Sequence, residues 1–427
     1  MPKNVYVLLT IIALAALNFN ATAQKKLVDA LNRQLITLNT LNPDSSYSDL
    51  DSLKPYLSGK MIIGLGEATH GTHEFVVFKH RMLEFLVKEM GVKAFVIEDD
   101  FAASQKLNDY IINNKSPIEN GIDSGMVFGI WKTREMIALC NWLKAYNNTQ
   151  SAENKVRFFG CDMQYVTPLL KSLRNYLQPQ GKFTSEMELA LKASRKPVKE
   201  IIDGDTDKIV LKNAADQLSK LKFTIGDTAL YNHYVREMQQ FITFVTPSGF
   251  SPQQFEWRDK CMAENIEWIY NYTSHKKMMV WAHNAHISKA SGGMRVVSMG
   301  ENLSNYFGSQ YYAMGFDFEK GSMRSYNLAL GKYEWPELPE ADKIKGSSGS
   351  IFAKCRAPDF IIDTRSASEA APVIAEFFNK DVYSISIGLT YNSKGGLGQM
   401  FVNNKLGKAY DAVIFIKETT PVHNMNN

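Results

Sequence analysis

Short apolar runs recur along the chain, and stretches with helical spacing lie between them. Met61-Ile62-Ile63-Gly64-Leu65 predicts a buried strand, Glu74 to Met90 a helix, and Phe95-Val96-Ile97 a second strand. A helix around Thr133 to Tyr146 and a strand over Val156 to Gly160 repeat the alternation. This order predicts a parallel α/β unit with helices on both sheet faces. Before it, Lys25 to Leu57 reads as a helical region followed by the polar turn Asn42-Pro43-Asp44-Ser45-Ser46.

From about Tyr165 to Phe255 the pattern changes to helical polar positions with few strand signals, broken at Asp203-Gly204-Asp205. A helix from Asp259 to Tyr272, with Arg258-Asp259 at its start, leads into the strand Met278-Met279-Val280-Trp281. Further short strands are expected around Tyr312 to Phe316, Phe360 to Asp363, Val382 to Ile387 and Ala412 to Ile416. Gly346-Ser347-Ser348-Gly349-Ser350 reads as a surface loop or linker on composition. The expected fold class is α/β, a central largely parallel sheet flanked by helices, with a helical insertion or cap. Residues 24–164 and 256–427 would form the two parts of the core and residues 165–255 the cap. No internal repeat suggests a solenoid.

At 427 residues, 45% apolar and 22% charged, the chain can bury a sizeable core, which excludes a disordered, fibrous or small disulfide-stapled protein. A formal charge of +4 is too weak to imply a nucleic-acid partner. Lys3, the apolar run Val5 to Leu17 and the small-residue site Ala21-Thr22-Ala23 read as an export signal over residues 1–23, cleaved before Gln24. That reading makes the protein periplasmic or secreted, without stable membrane insertion. A retained anchor is the alternative, disfavoured because the run is short for a membrane span. Cys140, Cys161, Cys261 and Cys355 lie far apart and form no CxxC pair, so a disulfide and buried free thiols both remain open.

The chemistry concentrates at the ends of the strands. Gly64-Leu65-Gly66-Glu67-Ala68-Thr69-His70-Gly71-Thr72-His73-Glu74-Phe75 follows a buried strand, and its glycines permit a tight turn presenting Glu67 and His70 at the carboxyl edge of the sheet. His70 can take a proton from water, and Glu67 can orient that water or an imidazole. Ile97 leads into Glu98-Asp99-Asp100, Gly160 into Cys161-Asp162, and Trp281 into Ala282-His283-Asn284-Ala285-His286. Four strands thus release acids or histidines at one edge, the usual place for an α/β active site.

His283 and His286 can position a carbonyl, stabilise an oxyanion or exchange a proton with a leaving alcohol. Glu98 can polarise water, fix a histidine tautomer or pair with Arg258. His73 can instead begin the next helix, Asp99 and Asp162 can satisfy loop backbone, Arg258-Asp259 can be a solvated ion pair, and Trp131 and Trp281 can form an apolar substrate wall or simply core. The set His70, His73, Glu98, Asp162, His283 and His286 contains enough ligands for zinc, but the first histidines match neither HExxH nor HxxEH. There is no GxSxG nucleophile elbow, which favours direct attack by activated water over a serine hydrolase.

Gly66-Glu67-Ala68-Thr69-His70-Gly71, Ile97-Glu98, Trp257-Arg258-Asp259-Lys260-Cys261-Met262-Ala263-Glu264-Asn265 and Trp281-Ala282-His283-Asn284-Ala285-His286 together resemble the erythromycin esterase family. The resemblance implies a carboxylic ester hydrolase acting on a small-molecule ester or macrolide lactone, with water as co-substrate, no cofactor and metal-independent water activation. An erythromycin-like substrate would connect the protein to antibiotic resistance. By the same resemblance His70 is the general base, Glu67 and Glu98 are acidic site residues, and His283 and His286 orient or polarise the lactone. Arg258 and Asp259 match a family segment without an assigned step. A metal-dependent hydrolase acting on a non-macrolide substrate and a noncatalytic periplasmic ligand-binding protein are the competing readings.

Overall fold

The computed structural model describes residues 22–113, 117–290, 296–328, 330–391 and 396–425. Most of the expected export signal lies outside them; its last two positions begin a helix over residues 22–31. No helix among the described residues is long and apolar enough to cross a membrane.

Among the described residues nine strands form one sheet: β1 (Ile36–Thr37), β2 (Ile62–Leu65), β3 (Ala94–Asp100), β4 (Arg157–Asp162), β5 (Met278–Trp281), β6 (Tyr311–Ser322), β7 (Glu337–Leu338), β8 (Asp359–Asp363) and β9 (Ala412–Thr419). Their order is β1-β8-β9-β6-β2-β5-β3-β4, with β7 added to an extension of β6. All neighbours from β9 to β4 are parallel, whereas β1 with β8, β8 with β9 and β6 with β7 are antiparallel. The central strands are buried on both faces, which is why they read as unbroken apolar runs.

Successive side chains alternate between two cores. Ile62, Val96, Met278 and Val280 enter one, and Ile63, Leu65, Phe95, Ile97, Met279 and Trp281 the other. Helices α1 (His73–Met90), α2 (Phe101–Ile112) and α3 (Arg134–Asn148) follow the first strands. Helices α4 (Thr167–Leu177), α5 (Ser185–Ala193), α6 (Val198–Asp203), α7 (Asp205–Leu218) and α8 (Thr228–Val245) then run without a strand among the described residues, before α9 (Pro252–Tyr272). Their apolar faces share one continuous core with Val96 and Val280, so this helical layer rests directly on the sheet.

Two expectations are corrected. Helix α9 begins at Pro252, because Ser251 and Gln254 complete a reciprocal cap, and Arg258-Asp259 therefore lies well inside it. Residues 346–350 are no surface linker: Ser347 to Ser350 are buried, Ser348 to Phe352 is helical, and Ser348 Oγ donates to Asp317. The strand expected around Val382 is present as Val382–Ile385 and pairs with Phe401–Asn404 in a separate two-stranded sheet. All four cysteines are buried free thiols.

Candidate active site

Parallel register sets the site. Leu65 of β2 and Ile97 of β3 both pair with Trp281 of β5, so three neighbouring strands run in level register toward one edge, where β2 and β5 give way to loops and β3 continues through Glu98 to Asp100. The glycines of the first loop serve close packing rather than a left-handed turn. A Cβ on Gly66 would lie 2.2 Å from Asn284 Oδ1, and one on Gly71 would lie 1.9 Å from the Arg324 carbonyl oxygen. Asn284 then ties the loops together: its backbone N–H donates to the Glu67 carbonyl, and its side chain bonds both backbone groups of Phe316.

Glu67 is buried and fully engaged. Its Oε1 lies 2.6 Å from His70 Nδ1, while Oε2 accepts from Lys79 Nζ at 2.5 Å and Trp281 Nε1 at 2.7 Å. Burial alone would raise its pKa, but Lys79 and His70 outweigh that and hold it below the ordinary carboxylate range. Burial draws Lys79 down to about 8 despite Glu67, and its ammonium rests 4.1 Å from the centre of the Trp281 ring. An ionised Glu67 accepts the Nδ1–H of His70 and leaves the lone pair on Nε2. No protein group among the described residues bonds that Nε2.

The second cluster centres on Glu98. Its Oε1 lies 2.7 Å from Arg258 Nη2 and 3.2 Å from His286 Nε2, and its Oε2 accepts the backbone N–H of His283 at 2.9 Å. Arg258 also forks onto Asp162 Oδ2 through Nε at 3.1 Å and Nη2 at 2.7 Å. His286 Nδ1 lies 2.6 Å from Asp259 Oδ1, whose other oxygen accepts from the Met299 N–H. Burial opposes the charge on Glu98, but His286 and Arg258 hold its pKa well below normal. Burial likewise disfavours protonated His286, yet Asp259 and Glu98 raise its pKa to about 10. Arg258 Nη1 approaches His286 Nε2 at 3.1 Å, a like-charge contact that the two carboxylates outweigh.

His283 stands between the clusters. Its ring centre is 4.9 Å from that of His70, Nδ1 accepts from the Ala285 N–H at 3.3 Å, and Nε2 lies 3.2 Å from the Ile387 carbonyl oxygen. Burial, His70 and His286 push its pKa down to about 3, so it is a neutral imidazole carrying its hydrogen on Nε2.

The remaining expected residues divide. Asp162, Arg258 and Asp259 join the Glu98 cluster. Asp99 organises a loop instead, accepting backbone N–H groups of Asp100, Val127 and Phe128, and burial raises it to about 8. Trp131 and Trp281 are 1% and 0% exposed, so in place of a substrate wall they form a buried layer under the site. Trp131 Nε1 donates to the Glu98 carbonyl, and its ring meets Trp281 edge-on. His73 begins α1 and pairs with Glu135 rather than with His70. The zinc set considered from sequence is therefore divided, with Arg258 occupying both of its carboxylates, Glu98 and Asp162. Among the described residues the one grouping with metal-ligand spacing is His73, Glu135 and His423.

Sequence reading missed Lys79, Glu135 and the Ile387 carbonyl. Lys79 had a signal: Phe75, Lys79, Met82 and Leu86 follow helical spacing, which places a lysine on an otherwise apolar stripe.

The family model for erythromycin esterase matches residues 87–419, most of the chain. The chain belongs to the erythromycin esterase family. The matched stretch contains Glu98, Arg258, His283 and His286 but starts after Glu67 and His70, which geometry adds to them. Among curated relatives of this hydrolase, erythromycin esterase type II of Escherichia coli is 22% identical, over 89% of this chain and 94% of its own length. A solved structure described as a succinoglycan biosynthesis protein is 22% identical and superposes with a TM-score of 0.80, covering 94% of this chain and 98% of the other. An erythromycin esterase variant in its open conformation, 16% identical, gives 0.65 over 92% and 99%. At these identities the two structures show the shared fold.

Proposed function

We propose that this family member hydrolyses a carboxylic ester or lactone by direct attack of water activated at His70. The observation that carries the proposal is the asymmetry of that ring, with Nδ1 held by Glu67 and Nε2 unbonded. Water bound at Nε2 loses its proton to the ring as its oxygen attacks the carbonyl carbon, and Glu67 stabilises the imidazolium that forms. The Ile387 carbonyl occupies the hydrogen-bonding position on His283 Nε2. A substrate carbonyl displacing it would receive that N–H as negative charge develops on its oxygen. His70 then returns the proton to the leaving alcohol, so one water is consumed per ester cleaved and no covalent enzyme intermediate forms. The Glu98 cluster fixes the β5 loop by holding the His283 backbone. Macrolide lactones are one candidate substrate class, supported by the family name. Export to the periplasm or medium, proposed from residues 1–23, would place the enzyme where such compounds arrive.

The test is mass spectrometry of products after incubating chelator-treated protein with macrolides and simple esters. Gain of one water with ring-opened fragmentation supports lactone hydrolysis; acid and alcohol from simple esters alone restricts the activity to smaller substrates. Intact substrates throughout the panel would overturn the proposal.

A further inference from the structure

Outside the hydrolytic site, three distant parts of the chain bring ligand atoms to one point. His73 Nδ1, at the start of α1, and His423 Nδ1 each lie 2.7 Å from the same oxygen, Oε1 of Glu135 in the first turn of α3. The two imidazole rings stand edge to face, 5.3 Å apart, and the three ligand atoms all lie within 4.8 Å of one another. Glu135 is nearly buried and held in place, because its carboxylate also accepts the His423 backbone N–H at 3.1 and 3.3 Å. Its pKa falls to about 2: burial opposes the charge, but the hydrogen bonds from His73 and His423 overcome it.

We propose that His73, Glu135 and His423 bind a divalent transition metal, with Zn2+ the best-suited ion. Two imidazole nitrogens and one carboxylate oxygen form a donor set of the kind that zinc takes. Coordination requires each Nδ1 to present a lone pair, so its hydrogen moves to Nε2 by way of solvent and the metal replaces two hydrogen bonds to Oε1. Metal–ligand distances of about 2.0–2.2 Å call for a small adjustment, which the 32% and 58% exposed side chains of His73 and His423 permit. The neighbouring pocket of about 300 Å³, lined by Arg134, Trp335 and His423 among others, leaves room for water to complete the coordination. Helix N-termini at His73 and Glu135 disfavour a cation, but that effect is confined to the first turn and is weak beside direct ligation.

The site would act as a clasp. Around it Val422 N–H donates to the Gly71 carbonyl and Arg134 N–H to the His423 carbonyl, so the metal would join the segment around His423 to both the Glu67 loop and α3. This assignment is independent of the hydrolysis proposal, which uses none of the three ligands.

Equilibrium dialysis of metal-stripped full-length protein against Zn2+ tests it, with circular dichroism as the control for folding. One zinc per chain is expected in the unaltered protein and in His70→Ala, together with a raised melting temperature. His73→Ala and His423→Ala should each lose at least tenfold in affinity and most of the zinc-dependent melting shift. Cobalt substitution should give visible ligand-field absorption in the unaltered protein that His423→Ala loses. Absence of saturable binding, zinc affinity in either histidine variant equal to that of the unaltered protein, or loss of the site in His70→Ala would overturn the assignment.

Discussion

Glu67 with His70, and Asp259 with His286, are the same chemical pair in two settings. In both, a carboxylate oxygen lies 2.6 Å from an imidazole Nδ1. They differ at the far nitrogen. His70 Nε2 has no protein partner among the described residues, whereas His286 Nε2 lies 3.2 Å from Glu98. One carboxylate leaves the ring with a free nitrogen, as the proposed base requires; two carboxylates favour the protonated ring and raise its pKa to about 10. The acceptors at the far nitrogen, rather than proximity to one acid, therefore distinguish the two rings, since each has a carboxylate 2.6 Å from Nδ1.

The sharpest way to break this comparison is to remove the free nitrogen. His70→Ala should lower ester turnover by about 10²–10⁴-fold with an unchanged circular dichroism spectrum, and near-normal turnover would eliminate His70 as the base. Glu67→Gln tests the orienting half. An amide no longer enforces the Nδ1–H tautomer and leaves Lys79 buried beside a neutral partner. Turnover should fall by a similar factor, and urea unfolding should show a loss of roughly 3–5 kcal/mol, as for other broken buried pairs. Adding Lys79→Met should restore stability without restoring turnover; recovery of both would show that Glu67 acts only through packing.

The third test concerns the fixed cation. His286 has a folded pKa raised above its unfolded value of 6.5, so its contribution to stability is fully present below pH 6.5 and is lost as pH rises through about 10. Asp259→Asn should thus destabilise the protein most at pH 6, by roughly 3 kcal/mol, and the gap to the unaltered protein should narrow toward pH 10. A gap independent of pH would assign Asp259 to its bond with the Met299 N–H instead. The smallest signal is spectroscopic. Nitrogen NMR should show both His286 ring nitrogens protonated at pH 8, and His283 as the neutral Nε2–H form at pH 5.

Much of the acidic and histidine site was legible because parallel strands buried on both faces leave a plain mark, an apolar run that ends abruptly in polar residues. Ile62–Leu65, Ala94–Asp100 and Met278–Trp281 all carry it, and their level register brings Glu67, Glu98 and His283 together. What the pattern hid was of other kinds. The Ile387 contact is made by a backbone carbonyl, on which residue identity is silent. Ser347 to Ser350 have linker composition but are buried, and Ser348 is satisfied by Asp317 rather than by solvent. Glu135 sits in the first turn of an ordinary amphipathic helix, where an acid is expected for the helix dipole alone, so nothing local marks it as the partner of two histidines.

The bond from Trp281 to Glu67 joins positions 214 residues apart. Contacts of such sequence separation close slowly, since the chain between them must first surrender its freedom. In a refolding experiment the return of the proposed ester cleavage would consequently lag behind the return of helical signal, which would make turnover a late clock for the completion of this topology.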